Sequence, residues 1–231
     1  MDWLTGSPVF LLFLTLAAYR LGCEVRDRAG GHALAQPVLV AIIVIGVVLA
    51  VTDVDYATYR DGTQIIAFLL GPATVALAVP LHRQAARLRG FLAPLLVGVT
   101  LGAVASIATG YLLVRWLGGS EVLAETMSPK AATTPVSIAI SGTIGGIPAL
   151  TAVFAIVIGI VGAIAGPAVL NVLRIRDERA RGLALGAVSH GVGTSRALRE
   201  SETEGAFAGL SMGLTALVTS LLVPVLLTLL R

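Results

Sequence analysis

A single lysine, Lys130, stands among sixteen basic residues, and all the others are arginine. It lies in the stretch SPKAATTPV at 128–136, between two prolines and just ahead of Thr133 and Thr134, with apolar sequence on both sides. A cation in apolar surroundings is costly, about 2.5–3.5 kcal/mol on membrane-insertion scales, and a bound carboxylate offsets that cost. The chemistry this points to is anion binding. Two further interruptions carry similar residues: Gly71-Pro72 ahead of Thr74, and Gly191-Val-Gly193 ahead of Thr194. An interrupted helix leaves amide N–H groups unpaired at the start of its second half, and these, with the helix dipole, attract an anion. Thr74, Thr133, Thr134, Ser189, Thr194 and Ser195 are placed to hydrogen-bond a small polar ligand, although each hydroxyl has the alternative of bonding a carbonyl of its own helix. His190 and Arg196 are the ionisable groups beside the third interruption. His190 has an ordinary pKa of about 6.5 and is suited to titrate during coupling. Structural alternatives stand beside these roles: Lys130 snorkels to a surface, and Arg196 pairs with Glu200 one turn on.

Other chemistries find less support. The motif Gly209-Leu-Ser211-Met-Gly213 has the G-x-S-x-G spacing, but it sits in an uninterrupted apolar stretch where no strand-to-helix elbow forms. His32 and His82 show no metal-ligand spacing, and Cys23 is the only cysteine, which leaves no intramolecular disulfide. No enzyme activity, metal or cofactor is expected. Asp and Glu are absent from the long apolar stretches, so those stretches offer little from which to assemble a carboxylate cage for a cation.

The elements that must position these groups are helices in a membrane. Of the 231 residues, 56% are hydrophobic and 13% charged, with a mean hydropathy of +0.93, against roughly 25% charged in soluble domains. The apolar residues gather at 4–22, 37–51, 62–81, 91–117, 149–173 and 207–230, several of them near the ~20 residues that cross a bilayer. The first is expected to be a retained span, because Asp2 makes its leading end acidic and no small-x-small cleavage site follows. The net charge of +3 resides in short arginine-bearing connections, so nucleic acid is not an expected partner. By the positive-inside rule the connections with Arg20, Arg26 and Arg28, with Arg83, Arg87 and Arg89, and with Arg174, Arg176, Arg179 and Arg181 face the cytoplasm, and the N-terminus faces outward. All six Trp and Tyr residues fall at expected span ends or in loops.

Parity then constrains the lysine segment. One crossing at 149–173 already separates the outer loop at Glu121 from the inner loop at Arg174, so 127–148 makes none or two, and its prolines and glycines favour a re-entrant hairpin or half-helices. The motif Gly71-Pro-Ala-Thr74 matches Gly191-Val-Gly-Thr194, and Val97-Gly-Val-Thr100 matches Met212-Gly-Leu-Thr215, in segments entering from opposite sides. Inverted repeats with interrupted helices are a signature of secondary transporters. Gly98 with Gly102, and Gly162 with Gly166, read as close helix packing that includes a dimer face.

The blocks TVALAVPL at 74–81, PKAATTP at 129–135, GGIPALT at 145–151, RGLALGAVSH at 181–190, GTSRA at 193–197 and EGAF at 204–207 together resemble the LrgB/CidB family of antiholin-like membrane proteins. Members commonly have Ser where Ala131 stands and Tyr where His82 stands, so a hydroxyl role is absent here. The resemblance implies either of two activities. One is modulation of murein hydrolases and autolysis through a small holin-like LrgA/CidA partner. The other, from related plastid glycolate/glycerate translocators and pyruvate-uptake pairs, is transport of short hydroxy- or keto-carboxylates. The expectation is an all-α polytopic protein of the bacterial inner membrane with about seven or eight transmembrane or re-entrant helices. Within one domain, 1–35 adds a helix, 36–117 and 146–230 are the repeats, and 127–148 is the broken segment. It moves a small monocarboxylate held by Thr74, Lys130, Thr133, Thr134, Ser189, His190, Thr194 and Arg196, as a homodimer or with an LrgA-like partner.

Overall fold

The computed structural model describes residues 5–30, 35, 37–76 and 91–231, with backbone alone at 70, 71 and 73–76. The arginines at 83, 87 and 89, both His32 and His82, the motif residues 77–81 and the Thr74 side chain lie outside what is described.

Ten helices are present among the described residues: α1 (Pro8–Arg28), α2 (Pro37–Thr52), α3 (Tyr56–Gly62), α4 (Gln64–Ala76), α5 (Leu92–Trp116), α6 (Glu121–Met127), α7 (Thr134–Ile144), α8 (Pro148–Val172), α9 (Glu178–Glu200) and α10 (Glu202–Leu230). Four of them, α1, α5, α8 and α10, are long and apolar enough to cross a membrane, and α2 with α3, bent by 119°, makes up to a fifth. Large apolar side chains such as Phe13, Val51, Leu101 and Leu221 are exposed on these helices, as lipid-facing residues must be. The chain is a polytopic, all-helical membrane protein.

The chain divides into two compact units, 1–73 and 74–231. In the first, Ser7 caps α1 by accepting from the Phe10 amide at 3.3 Å. Gly22 lets α2 approach closely, since a Cβ there would lie 2.5 Å from the Pro37 carbonyl oxygen. Thr15 and Tyr59 share a hydrogen bond of 2.9 Å between α1 and α3. The interruption expected at Gly71-Pro72 is not present: α4 runs through it with Pro72 inside. A proline removes one amide donor and crowds one carbonyl, which helices in apolar surroundings tolerate where the freed group is satisfied locally.

The second unit is built from α5 to α10, and its helices end at two opposite poles. At one pole Arg179 lies over the Phe91 ring at 5.5 Å, Phe91 meets Phe207 edge-on at 5.7 Å, and Arg181 pairs with Glu204 at 3.3 Å. At the other, Arg231 pairs with Glu121 and Glu125 and reaches the Ile144 carbonyl. Between the poles, Ile107, Tyr111, Ala124, Ala132, Ile140, Val223 and Leu227 form one buried cluster, and Leu95, Val99 and Leu210 form another. Gly162 and Gly166 do seat α8 against α9, facing Ser189, Val188 and Leu185, whereas Gly98 and Gly102 face open space. The pair at Gly98 and Gly102 therefore packs no helix among the described residues of this unit.

Glu204 lies outside the apolar stretch 207–230 and is nevertheless buried. The helix holding the last apolar stretch begins at Glu202, five residues before that stretch, and Ser201 caps it by accepting from the Glu204 amide at 3.0 Å. Glu204 is thereby carried inward to 3% exposure against Arg181, whose guanidinium also donates to Asn171 Oδ1 at 2.9 Å and the Ile175 carbonyl at 3.2 Å. Removing one partner of such a pair strands the other charge. Arg181→Met is expected to destabilise the chain by about 3–5 kcal/mol, read as a lowered melting temperature in detergent. The double variant Arg181→Met/Glu204→Met is expected to recover most of that loss.

Candidate functional site

The lysine segment forms a hairpin with one helix half on each side. α6 runs inward from the Glu121 pole, residues 128–133 turn, and α7 returns. The eleven residues of α7 span about 16 Å, half of a bilayer core. Gly145, with φ +93°, ends α7 in the left-handed conformation that glycine adopts freely. Base and turn are braced by buried hydroxyls. Thr151 donates to the Thr126 carbonyl at 2.9 Å and to Ser141 Oγ at 2.7 Å, and Ser137 donates to the Pro129 and Ala132 carbonyls at 2.7 and 2.9 Å. From the turn Lys130 reaches sideways to α5, where its ammonium donates to the carbonyl of Ser106 and, at 3.1 Å, to Ser106 Oγ. Gly110 clears the space, since a Cβ there would stand 2.5 Å from Nζ. Lys130 takes part in no ion pair among the described residues. An ammonium has three donors, and Ser106 uses two.

The second hairpin is α9, which enters from the Arg181 pole. Its continuity breaks at His190, with φ 49° and ψ −130°, and the chain doubles back. A Cβ on Gly193 would collide with the carbonyl of Leu185, and Ala197 shares a buried cluster with Leu185; in a straight helix the latter two would stand about 18 Å apart. The break falls one residue before the expected glycines. The strained backbone belongs to His190 itself, and the glycines serve the close return of the chain.

The two tips meet. The His190 imidazole lies against the backbone of Lys130 and Ala131, and Gly159 of α8 leaves room on its other side, where a Cβ would be 3.5 Å from Nδ1. Three polar atoms at the tips are buried without a hydrogen-bond partner among the described residues: Thr133 Oγ1, Ser189 Oγ and His190 Nε2. Buried polar groups in folded proteins are normally paired, so these open atoms, on the two tips that carry Lys130 and His190, make the junction the candidate ligand site.

The residues expected at the site thus fall into groups. Lys130, Thr133, Ser189 and His190 are brought together, with Thr134 opening α7 beside them. Thr194 donates to the His190 carbonyl at 2.8 Å and Ser195 to that of Gly191 at 2.9 Å, so these two hydroxyls close the return turn. Arg196 is not brought to the tips: it lies further down the return half and pairs with Glu200 at 2.7 Å. Ser106, Gly110 and Gly159 were not legible as site residues. Ser106 and Gly110 share one face of α5 at a spacing of one turn, the only local signal they carry.

The chain matches the LrgB-like family model over residues 15–229. It belongs to the LrgB family. Relatives include an uncharacterized protein, YwbG, of Bacillus subtilis (strain 168), 35% identical over 94% of this chain and 96% of its own length. The antiholin-like protein LrgB of Bacillus mycoides (strain KBAB4) is 31% identical over 95% of this chain and 96% of its own. The antiholin-like protein LrgB of Bacillus cereus (strain B4264) is 30% identical over the same shares. No solved structure matches the chain. The match runs through both hairpins of the second unit, so the LrgB-family assignment covers the whole candidate site.

Proposed function

We propose that this LrgB-family chain is an antiholin-like protein of the bacterial inner membrane, restraining a holin-like LrgA/CidA partner and with it murein hydrolase activity and autolysis. What supports this reading is the match to relatives of that name along nearly their full length. Deleting the gene is expected to raise the autolysis rate, and re-expression is expected to restore it. An unchanged rate in the deletion strain, with the holin-like partner present, counts against the reading.

A second reading, favoured by the geometry of the tips, is secondary transport of a small monocarboxylate of the pyruvate, lactate or glycolate class. Hairpins entering from opposite poles and meeting at a polar junction suit alternating access around a central site. Lys130 holds the carboxylate, and Thr133, Ser189 and His190 contact its remaining oxygens. By the arginine distribution, the Arg181 pole faces the cytoplasm and the Glu121 pole faces outward. Proteoliposomes carrying the purified chain are expected to accumulate labelled short-chain acid. Uptake only when a holin-like partner is co-reconstituted would make the transporter a two-component one, and no uptake in either arrangement would leave the first reading alone.

A further inference from the structure

Most helical threonine hydroxyls described in this chain donate to a carbonyl of the preceding turn, three or four residues back. Thr15, Thr52, Thr109, Thr126 and Thr194 each donate to the carbonyl four residues back, the usual resting place of a helical hydroxyl in apolar surroundings. Thr215 and Thr219 of α10 do not. Both are buried, at 2% and 1% exposure, and neither hydroxyl is paired with any group among the described residues.

Their height in the unit is given by their neighbours. Gly182 abuts Glu204 and Gly186 abuts Ala208, so the first half of α9 runs alongside α10 in constant register, which carries His190 to the level of Met212. Four residues before Thr215, Ser211 donates to the Leu183 carbonyl of α9 at 2.7 Å. Four residues after Thr219, Val223 belongs to the buried cluster that also holds Ala132 of the lysine turn and Ile107 of α5. Ser211, Thr215, Thr219 and Val223 are spaced for one face of α10. The two open hydroxyls therefore lie along α10 at the height of the junction, between the level of His190 and the cluster that holds Ala132.

We infer that Thr215 and Thr219 belong to the ligand site and select acids that carry a second oxygen beside the carboxylate. This rests on the monocarboxylate reading and deepens it. A hydroxyl both donates and accepts, so this pair serves an α-hydroxy acid and an α-keto acid alike. An acid lacking that oxygen leaves two buried hydroxyls unpaired. Sites built to hydrogen-bond such a group reject analogues without it far more strongly than apolar pockets reject a missing methylene.

The test is equilibrium binding of labelled lactate and labelled propionate to the purified full chain in detergent. Wild type is expected to prefer lactate by at least about tenfold. The variant Thr215→Val/Thr219→Val, which keeps shape and removes both hydroxyls, is expected to lose that preference, with lactate bound more weakly and propionate bound at least as tightly as by wild type. Thr215→Ser/Thr219→Ser is expected to retain it. A preference for lactate that survives the valine pair overturns the inference while the monocarboxylate reading stands, and so does equal binding of the two acids by wild type. Failure of wild type to bind either acid sinks both. Equal weakening of both acids by the valine pair assigns the threonines a structural role and also overturns it.

Discussion

Lys130→Met is expected to weaken carboxylate binding about ten- to a hundredfold, the worth of a charged hydrogen bond of about 1.5–3 kcal/mol at about 1.4 kcal/mol per decade. The same substitution is expected to leave the melting temperature of the ligand-free chain unchanged or raise it. The ammonium is partly buried without a carboxylate, and its company is a serine. An apolar chain of similar length removes a desolvated charge at little cost in shape. A binding role and a structural role make opposite forecasts here. If Lys130 is a strut tying the lysine turn to α5, the methionine variant melts early and Ser106→Ala follows it part of the way. If Lys130 is held ready for an anion, stability and binding separate. Binding is read by isothermal titration with pyruvate, lactate and glycolate, and stability by thermal unfolding in detergent.

The second large effect falls on Gly186. A Cβ there would drive into the carbonyl oxygen, carbonyl carbon and Cα of Ala208, all backbone atoms that cannot rotate aside. Gly186→Ala is expected to destabilise by about 3 kcal/mol, the upper end of ordinary overpacking costs, because α9 and α10 must part to admit a methyl group. Gly191→Ala is the control. A Cβ at Gly191 meets nothing within 4 Å, so this change is expected to be neutral or to stabilise by up to about 1 kcal/mol through reduced unfolded-state entropy. Parallel losses for the two variants in thermal melts would mean that the α9 hairpin does not pack on α10 as described.

Much of the fold was legible because a bilayer writes itself into sequence. The stretches at 91–117, 149–173 and 207–230 become α5, α8 and α10 within a few residues at each end, since each needs about twenty apolar residues to match the hydrocarbon thickness. The lysine segment was legible for a related reason: its prolines and glycines forbid a continuous helix, and an eleven-residue α7 is what remains. Gly71-Pro72 carried the same letters and gave the opposite result, because one missing amide bond is too weak a local signal to break α4 against its apolar surroundings. The burial of Glu204 was not legible, because it depends on Arg181, 23 residues away, a pairing that no local pattern reports.

By itself the sequence determined the solvent, the rough extent of α5, α8 and α10, the family, and the one cation with chemistry to explain. Periodicity and charge are local properties, so they survive reading one residue at a time. Only the tertiary structure decided that α9 turns back at His190, that its tip rests on the backbone of Lys130 and Ala131, that Arg196 is bound to Glu200, and that Thr215 and Thr219 are left without partners. Each of these depends on which helices lie side by side. That choice is made by glycine-sized gaps and buried hydrogen bonds between residues far apart in the chain.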